Sequence, residues 1–285
     1  MKRPTIRTAR ILLPQALLLL HASTAAAFEV KVHAREVAPG EPIRVVVAGV
    51  DAAPTGSFRG APVAFSRGEA GWVGWAAVPL DAKAGPVALE VRSGGATERK
   101  ELRITAKKFP EQRLKVEEKY VSPSKAQQER IAREKKRLDA IYARRTDAPA
   151  PSDPFVRPVP GEPTSAFGLR RLFNGQPRAP HAGLDLKAAT GTPVRNAGAG
   201  LVVLADDLYF AGKTVIVDHG AGLFTIYAHL SRIDVKEGDE VAAGNVVGLS
   251  GATGRVTGPH LHWGARVGET IFDPRALLDA RLFGR

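Results

Sequence analysis

Short alternations of apolar and polar residues dominate the chain between residues 28 and 106. Residues 28–32 alternate strictly. Further apolar runs occupy residues 43–47, 72–78, 87–91 and 102–104. Such segments, separated by Gly and Pro, are typical of strands, and their spacing predicts an immunoglobulin-like β-sandwich over residues 28–106. Trp72 and Trp75 fall in one of these strands, and we expect them to pack rather than to bind a ligand.

A different pattern begins at residue 107. Ser122 and Pro123 are the predicted N-cap and first-turn proline of a helix that extends over residues 124–145. Its apolar positions fall on roughly one face and are Ile131, Leu138, Ile141 and Tyr142. We interpret residues 107–153 as a charged helical linker that packs lightly on one domain; a helix that binds a partner or nucleic acid is the less favoured alternative.

β character returns after the proline-rich stretch 149–163 and is denser in glycine. Predicted strands cover residues 194, 201–204, 214–217, 224–227, 241, 246–249 and 261–265. Helical signal is nearly absent until residues 274–278. The pattern predicts a second, mostly antiparallel β domain over residues 154–285, and a mainly β protein as a whole.

The first 27 residues have the pattern of an export signal. Four Lys or Arg residues precede the apolar run 11–20, and Ala25-Ala26-Ala27 offers small side chains for cleavage before Phe28. This predicts a signal peptide over residues 1–27, with an uncleaved anchor as the alternative. The run is short for a membrane span. We therefore expect an exported protein, periplasmic in a Gram-negative bacterium or secreted, with no stable membrane insertion after cleavage.

Charge and cysteine content narrow the chemistry. The 41 Lys and Arg residues outnumber the 29 Asp and Glu residues, which gives a net charge of +12. A basic chain favours anionic partners such as nucleic acid, acidic lipid or a cell-wall polymer, and export argues against nucleic acid. The chain has no cysteine, which excludes disulfides, a thiol nucleophile, zinc–thiolate sites and lipidation through an N-terminal Cys.

Histidines in the C-terminal part carry the candidate chemistry. His181 and Asp185 are four residues apart, so on an extended chain they share a face, and Gly183 between them leaves room for an ion. His260 and His262 share one side of a predicted strand. Imidazole and carboxylate are good zinc ligands. Each motif is weak alone, since most matches to the first bind no metal and the second also suits a polar pair facing solvent.

Two further histidines complete the set. In the segment 227–230 the alternation places Tyr227 and His229 on one face, although an exposed strand histidine is an equal alternative there. His219 precedes a turn, and we expect a structural role for it. Zinc catalysis needs three protein ligands and one open position. The 181/185 pair with one histidine of the 260/262 pair supplies three ligands, and two histidines remain for proton transfer and oxyanion stabilisation.

Together these segments resemble the lysostaphin-type peptidases, family M23, also called LytM-domain proteins. The resemblance covers about residues 154–276. Its motifs, in the family's order, are Phe167-Gly-Leu-Arg170, the run from Phe173-Asn-Gly to His181-Ala-Gly-Leu-Asp185, Gly191-Thr-Pro-Val194, Val217-Asp-His-Gly220, Tyr227-Ala-His-Leu230, Gly238-Asp239 with Val241, and Gly251-Ala-Thr-Gly254 to Gly258-Pro-His-Leu-His262.

The resemblance implies a fold, a site and an activity. The fold would be a lysostaphin-type antiparallel β domain. His181, Asp185 and His262 would bind one zinc ion, while His229 and His260 would act as general base and transition-state stabiliser in an order that the sequence leaves open. The implied activity is hydrolysis of peptide bonds in peptidoglycan cross-links or stem peptides by a metal-activated water. The sequence departs nowhere from the family's catalytic pattern; the alternatives are a non-catalytic LytM-type regulator of wall amidases and a wall-binding module.

Overall fold

The computed structural model describes residues 28–144, 146 and 148–285. The predicted signal peptide lies outside the described residues. Within those residues, no helix is both long enough and apolar enough to cross a bilayer.

Eight antiparallel strands form the N-terminal part. They are β1 (Glu29–His33), β2 (Pro42–Ala48), β3 (Thr55–Phe58), β4 (Ala61–Val63), β5 (Phe65–Gly68), β6 (Gly71–Ala77), β7 (Gly85–Ser93) and β8 (Ala96–Ile104). Two four-stranded sheets result, in the orders β1-β2-β6-β5 and β4-β3-β7-β8. Alternate residues of β2 and β7, among them Ile43, Val45 and Leu89, are fully buried in one apolar cluster. The predicted strands are confirmed, β3 to β5 were missed, and the immunoglobulin-like arrangement stays a prediction.

Residues 107–153 contain more structure than a helical linker. A short strand, β9 (Glu111–Leu114), precedes helix α1 (Lys125–Tyr142). The helix is capped by Ser124, whose side chain accepts from the Gln127 amide in a reciprocal capping box. The predicted cap at Ser122 was therefore wrong: its hydroxyl donates instead to Glu118 of a preceding 3-10 turn, at 2.8 Å.

The C-terminal part is built from twelve strands. They are β10 (Pro163–Ser165), β11 (Arg170–Phe173), β12 (Gln176–Pro177), β13 (Gly183–Lys187), β14 (Pro193–Arg195), β15 (Gly200–Leu208), β16 (Gly212–Asp218), β17 (Leu223–Ile233), β18 (Glu240–Val241), β19 (Val246–Ser250), β20 (His260–Val267) and β21 (Thr270–Phe272). The main antiparallel sheet has the order β10-β13-β20-β17-β16-β15-β18, with β14, β19 and β21 attached at its sides. Short 3-10 helices, Pro274–Leu278 and Ala280–Phe283, follow.

Strand pairing and apolar contacts join these parts. Strand β9 pairs in parallel with β11, whose other neighbour is β12. The end of α1 packs on the main sheet, where the Tyr142 and Phe224 rings meet edge to face at 5.5 Å. Trp75 of β6 is fully buried and meets Phe283 at 5.9 Å, in the same apolar cluster as the C-terminal core. The expected packing role of Trp75 is thus confirmed, and the division of the chain at residues 106 and 153 stays a prediction.

Candidate metal centre

Two neighbouring strands and the loop before them bring three ligand atoms together. Asp185 of β13 and His262 of β20 are directly opposite in the antiparallel register. His181 lies two residues before β13. Its Nε2 is 2.9 Å from Asp185 Oδ1 and 3.1 Å from His262 Nδ1, and the last two atoms are 2.8 Å apart. The three predicted ligands therefore converge on one point, although 77 residues separate Asp185 from His262.

The protonation of this group suits a divalent cation. His181 Nδ1 lies 2.7 Å from the Ala166 carbonyl, which can only accept, so Nδ1 donates and the neutral ring keeps its lone pair on Nε2. Burial lowers the pKa of His181, which favours that neutral form. Burial alone would raise the pKa of Asp185, but the adjacent imidazoles of His181 and His262 hold it well below its usual range. Neutral imidazole and ionised carboxylate are the forms that bind zinc.

A second layer of hydrogen bonds surrounds the three predicted ligands. Arg171 of β11 donates to Asp185 Oδ2 at 3.2 Å and to the Gln112 side chain at 3.2 Å. Gln112 also donates to Ser165 Oγ at 3.2 Å, and that oxygen lies 3.3 Å from His181 Nδ1. Sequence reasoning missed these residues. Arg171 comes directly after the motif Phe167-Gly-Leu-Arg170 and is not part of it. Gln112 gave no signal because its strand, β9, meets β11 only in the folded chain.

His229 and His260 lie beside the ligands, as the sequence predicts. Nδ1 of His229 donates to the Thr253 carbonyl and Nδ1 of His260 to the Gly258 carbonyl, each at 2.8 Å. In both rings these bonds use Nδ1, and Nε2 takes no part in them. His260 Nε2 is 3.6 Å from Asp185 Oδ1. The ring centroids of His229 and His260 are 4.9 Å apart. Burial, with the nearby His262 and His260, lowers the pKa of His229 to about 3, so this ring is neutral at neutral pH.

The backbone at His229 breaks the regular alternation of β17. Its φ is 64°, in the left-handed region that non-glycine residues rarely adopt, and the pairing with β16 shifts register there. As a result Tyr227 and Leu230 both join the core, while Ala228 and His229 both line the cleft beside the ligands. The expectation that Tyr227 and His229 share a face was wrong, because a bulge re-aims the side chain. Backbone strain of this kind concentrates at functional sites.

The missing side chain of Gly183 makes room for a neighbouring protein side chain. A Cβ at this position would lie 2.7 Å from His262 Nε2 and 2.5 Å from the Trp263 carbonyl oxygen. The space above Gly183 is therefore taken by the His262 ring, which corrects the prediction that it leaves room for the ion itself. The absent side chain lets the ring cross β13 and reach Asp185.

His219 is separate from this site. It is buried, its Nδ1 donates to the Ala199 carbonyl at 2.8 Å, and its Nε2 lies 2.8 Å from Thr225 Oγ1. Burial lowers its pKa to about 4. With both ring nitrogens bound to protein atoms, His219 has the surroundings of the structural residue that the sequence predicts.

Comparisons with known proteins bear on the same segment. The model of peptidase family M23 matches residues 179–274. Peptidoglycan DD-endopeptidase ShyA of Vibrio cholerae is 48% identical over 101 residues, which make up 35% of this chain and 24% of that protein. DD-carboxypeptidase/endopeptidase Mpg of Neisseria meningitidis is 42% identical over 94 residues, or 33% of this chain and 22% of that protein. The chain thus spans about a quarter of the length of these curated relatives.

A solved structure extends the similarity beyond this segment. The crystal structure of a peptidase M23 candidate from Pseudomonas aeruginosa is 33% identical, with a TM-score of 0.66, over 86% of this chain and 95% of that chain. The family match spans all five predicted site residues. With a solved relative matched over nearly its whole length and the family model matched across the site, this chain belongs to peptidase family M23.

Proposed function

We propose that the protein is an exported zinc endopeptidase that hydrolyses peptide bonds in peptidoglycan cross-links or stem peptides. The observation that carries the proposal is the convergence of His181, Asp185 and His262 to within 3.1 Å, with His229 and His260 directly beside them. Cross-links between D-alanine and a diamino acid are the bonds we favour, because curated relatives of this segment are named DD-endopeptidases. One zinc ion per chain is proposed.

Each residue has a proposed task. The ion is held by His181, Asp185 and His262. Arg171 orients the Asp185 carboxylate by donating to Oδ2. When bound, the zinc supplies Lewis-acid polarisation of the scissile carbonyl and lowers the pKa of a water ligand toward about 7. His229 and His260, each fixed through Nδ1, present Nε2 to accept a proton from the attacking water and to donate to the developing oxyanion or the leaving amine.

Substitutions separate metal binding from catalysis. Asp185→Ala is expected to lose zinc and activity together, with Asp234→Ala, on the surface turn after β17, as the matched control. His229→Asn is expected to keep one zinc per chain and lose activity by about 10²-fold or more. Asparagine is chosen because it tolerates the left-handed backbone at this position. Loss of zinc in His229→Asn would contradict the assigned roles.

The alternative is a non-catalytic regulator of wall amidases, in the manner of some LytM-type proteins. Purified, zinc-loaded protein is incubated with sacculi and with defined cross-linked muropeptide dimers, and products are identified by mass. The peptidase proposal expects soluble muropeptides and one new amine and carboxyl terminus per cleaved dimer. No cleavage of either substrate by protein that holds its zinc would favour the regulator instead.

A further inference from the structure

Three arginines gather in the cleft beside the ligand cluster. Arg171, Arg178 and Arg255 line this cleft of about 420 Å³ together with three of the site imidazoles. Among the described residues that line it, none is acidic. Arg171 is already engaged with Asp185. The remaining two guanidinium groups give one wall of the cleft a positive charge that the catalytic assignment does not use.

Arg255 lies against two aromatic rings. Its guanidinium carbon lies 4.7 Å from the Phe173 ring centroid and 4.6 Å from that of Phe210. Among the described residues, no carboxylate lies within ion-pair distance of it, and no side-chain hydrogen bond to its guanidinium is found. Burial, with repulsion from Arg171 and Arg178, lowers the pKa of Arg255 to about 10. The folded chain thus holds a cation against repulsion without an anion of its own.

The surroundings of Arg255 leave its donors available. Aromatic rings that cover a guanidinium interact with its faces, whereas its N–H groups lie in the plane and point outward. Arg178 donates through Nη2 to the Val121 carbonyl at 2.9 Å and to Gln176 Oε1 at 2.7 Å, and through Nη1 to the Pro177 carbonyl at 3.2 Å. These bonds leave its Nε–H and one Nη1 hydrogen unused. Arg255, with its donors unoccupied, and Arg178, with two N–H groups unoccupied, are suited to a carboxylate, which accepts paired N–H bonds.

Arg171, which donates to Asp185, limits how far Arg255 lies from the ligand cluster. Arg171 lies 5.9 Å from the same Phe173 ring that Arg255 covers. The guanidinium carbons of Arg171 and Arg255 are therefore at most about 11 Å apart, the length of roughly three extended residues. Several of the other lining residues are small and apolar, among them Ala179, Pro180 and Ala182. These small side chains leave room for a peptide with short side chains.

We propose that Arg255, with Arg178, forms a subsite that selects peptides carrying a free C-terminal carboxylate within about three residues of the scissile bond. This inference rests on the proposed peptidase function. It adds a requirement that the ligand cluster alone does not impose, namely an acidic group on the substrate at a defined distance from the cleaved bond.

The test compares two substrates that differ by one charge. A cross-linked tetrapeptide dimer is prepared with its terminal D-alanine as the free acid and as the carboxamide, and kcat/KM is measured with the zinc-loaded protein. The wild type is expected to prefer the acid by about tenfold or more. Arg255→Gln, alone and with Arg178→Gln, is expected to bring the ratio of the two rates toward one. Arg133→Gln, on the exposed face of α1, is the matched control and keeps the wild-type ratio.

Two results would overturn the subsite. One is equal turnover of acid and amide by the wild type. The other is full preference for the acid in the variant that combines Arg255→Gln and Arg178→Gln, which would mean that another group binds the carboxylate. Arg171 is left unchanged throughout because it contacts Asp185.

Failure of the proposed function is distinguishable from failure of the subsite. If zinc-loaded wild type cleaves neither peptide, the peptidase proposal fails, and calorimetric titration of the same zinc-loaded protein with the two peptides decides the subsite. Tighter binding of the acid, lost in Arg255→Gln, upholds it. Equal binding of acid and amide rejects it.

Discussion

Buried His219 predicts a specific dependence of stability on pH. Its ordinary pKa of 6.5 falls to about 4 in the folded chain because burial penalises the charged ring. The unfolded chain therefore takes up a proton between pH 6.5 and 4 that the folded chain does not. The stabilising contribution is present above pH 6.5 and is lost as the pH falls toward 4. For these two pKa values the loss between pH 7.5 and pH 5 is about 2 kcal/mol.

The matched variant is His219→Gln, which keeps an amide donor for the Ala199 carbonyl and an acceptor for Thr225 but does not titrate. Urea unfolding of both proteins, followed by tryptophan fluorescence at pH 7.5 and pH 5 in the presence of a chelator, gives the free energies of unfolding. The other histidines titrate equally in both proteins, so their contribution cancels. The wild type is expected to lose about 2 kcal/mol more than the variant. An equal loss in both proteins would refute the argument, because it would mean that His219 is protonated in the fold without cost.

Three further outcomes follow from the packing around the site. Gly183→Ala is expected to lower zinc stoichiometry without changing the circular dichroism spectrum, because the new methyl group displaces the His262 ring. Gly264→Ala is the control: it lies directly opposite, and its new methyl group would come no closer than 3.4 Å to any neighbour. Gln112→Ala is expected to weaken zinc binding by about tenfold in competition with a chromogenic chelator, with Gln128→Ala on the exposed helix unchanged. Trp75→Ala is expected to cost about 3–5 kcal/mol of unfolding free energy, and unaltered thermal unfolding would contradict its place in the shared core.

Much of the site was predictable because its residues sit in short motifs with strong geometric constraints. The 260/262 pair shares a strand face whatever the tertiary structure, since side chains alternate along a strand. The pairing of β13 with β20 then brings Asp185 opposite His262, which no local pattern encodes. His229 shows the limit of alternation: one left-handed residue reversed the facing that a regular strand would give.

Other features depend on contacts between distant segments. Gln112 reaches the predicted ligands only because β9 pairs with β11, and a four-residue strand with one apolar residue, Leu114, gives no reason to expect that pairing. The aromatic contacts of Arg255 with Phe173 and Phe210 likewise join three separate loops and strand ends. The capping of α1 could have been predicted, since Ser124 and Gln127 have the capping-box spacing that Ser122 lacks.

The sequence by itself determined the mainly β character and the family, and it predicted five site residues that the fold brings together, because alternation and short-range spacing are properties of a local chain. The tertiary structure alone decided which face His229 presents, what fills the space above Gly183, and which arginines and amides surround the ligands. Those features arise from strand register and from docking of the linker on the C-terminal sheet. Register and docking are set by the sum of many weak, long-range contacts, and no single segment of the chain carries that information.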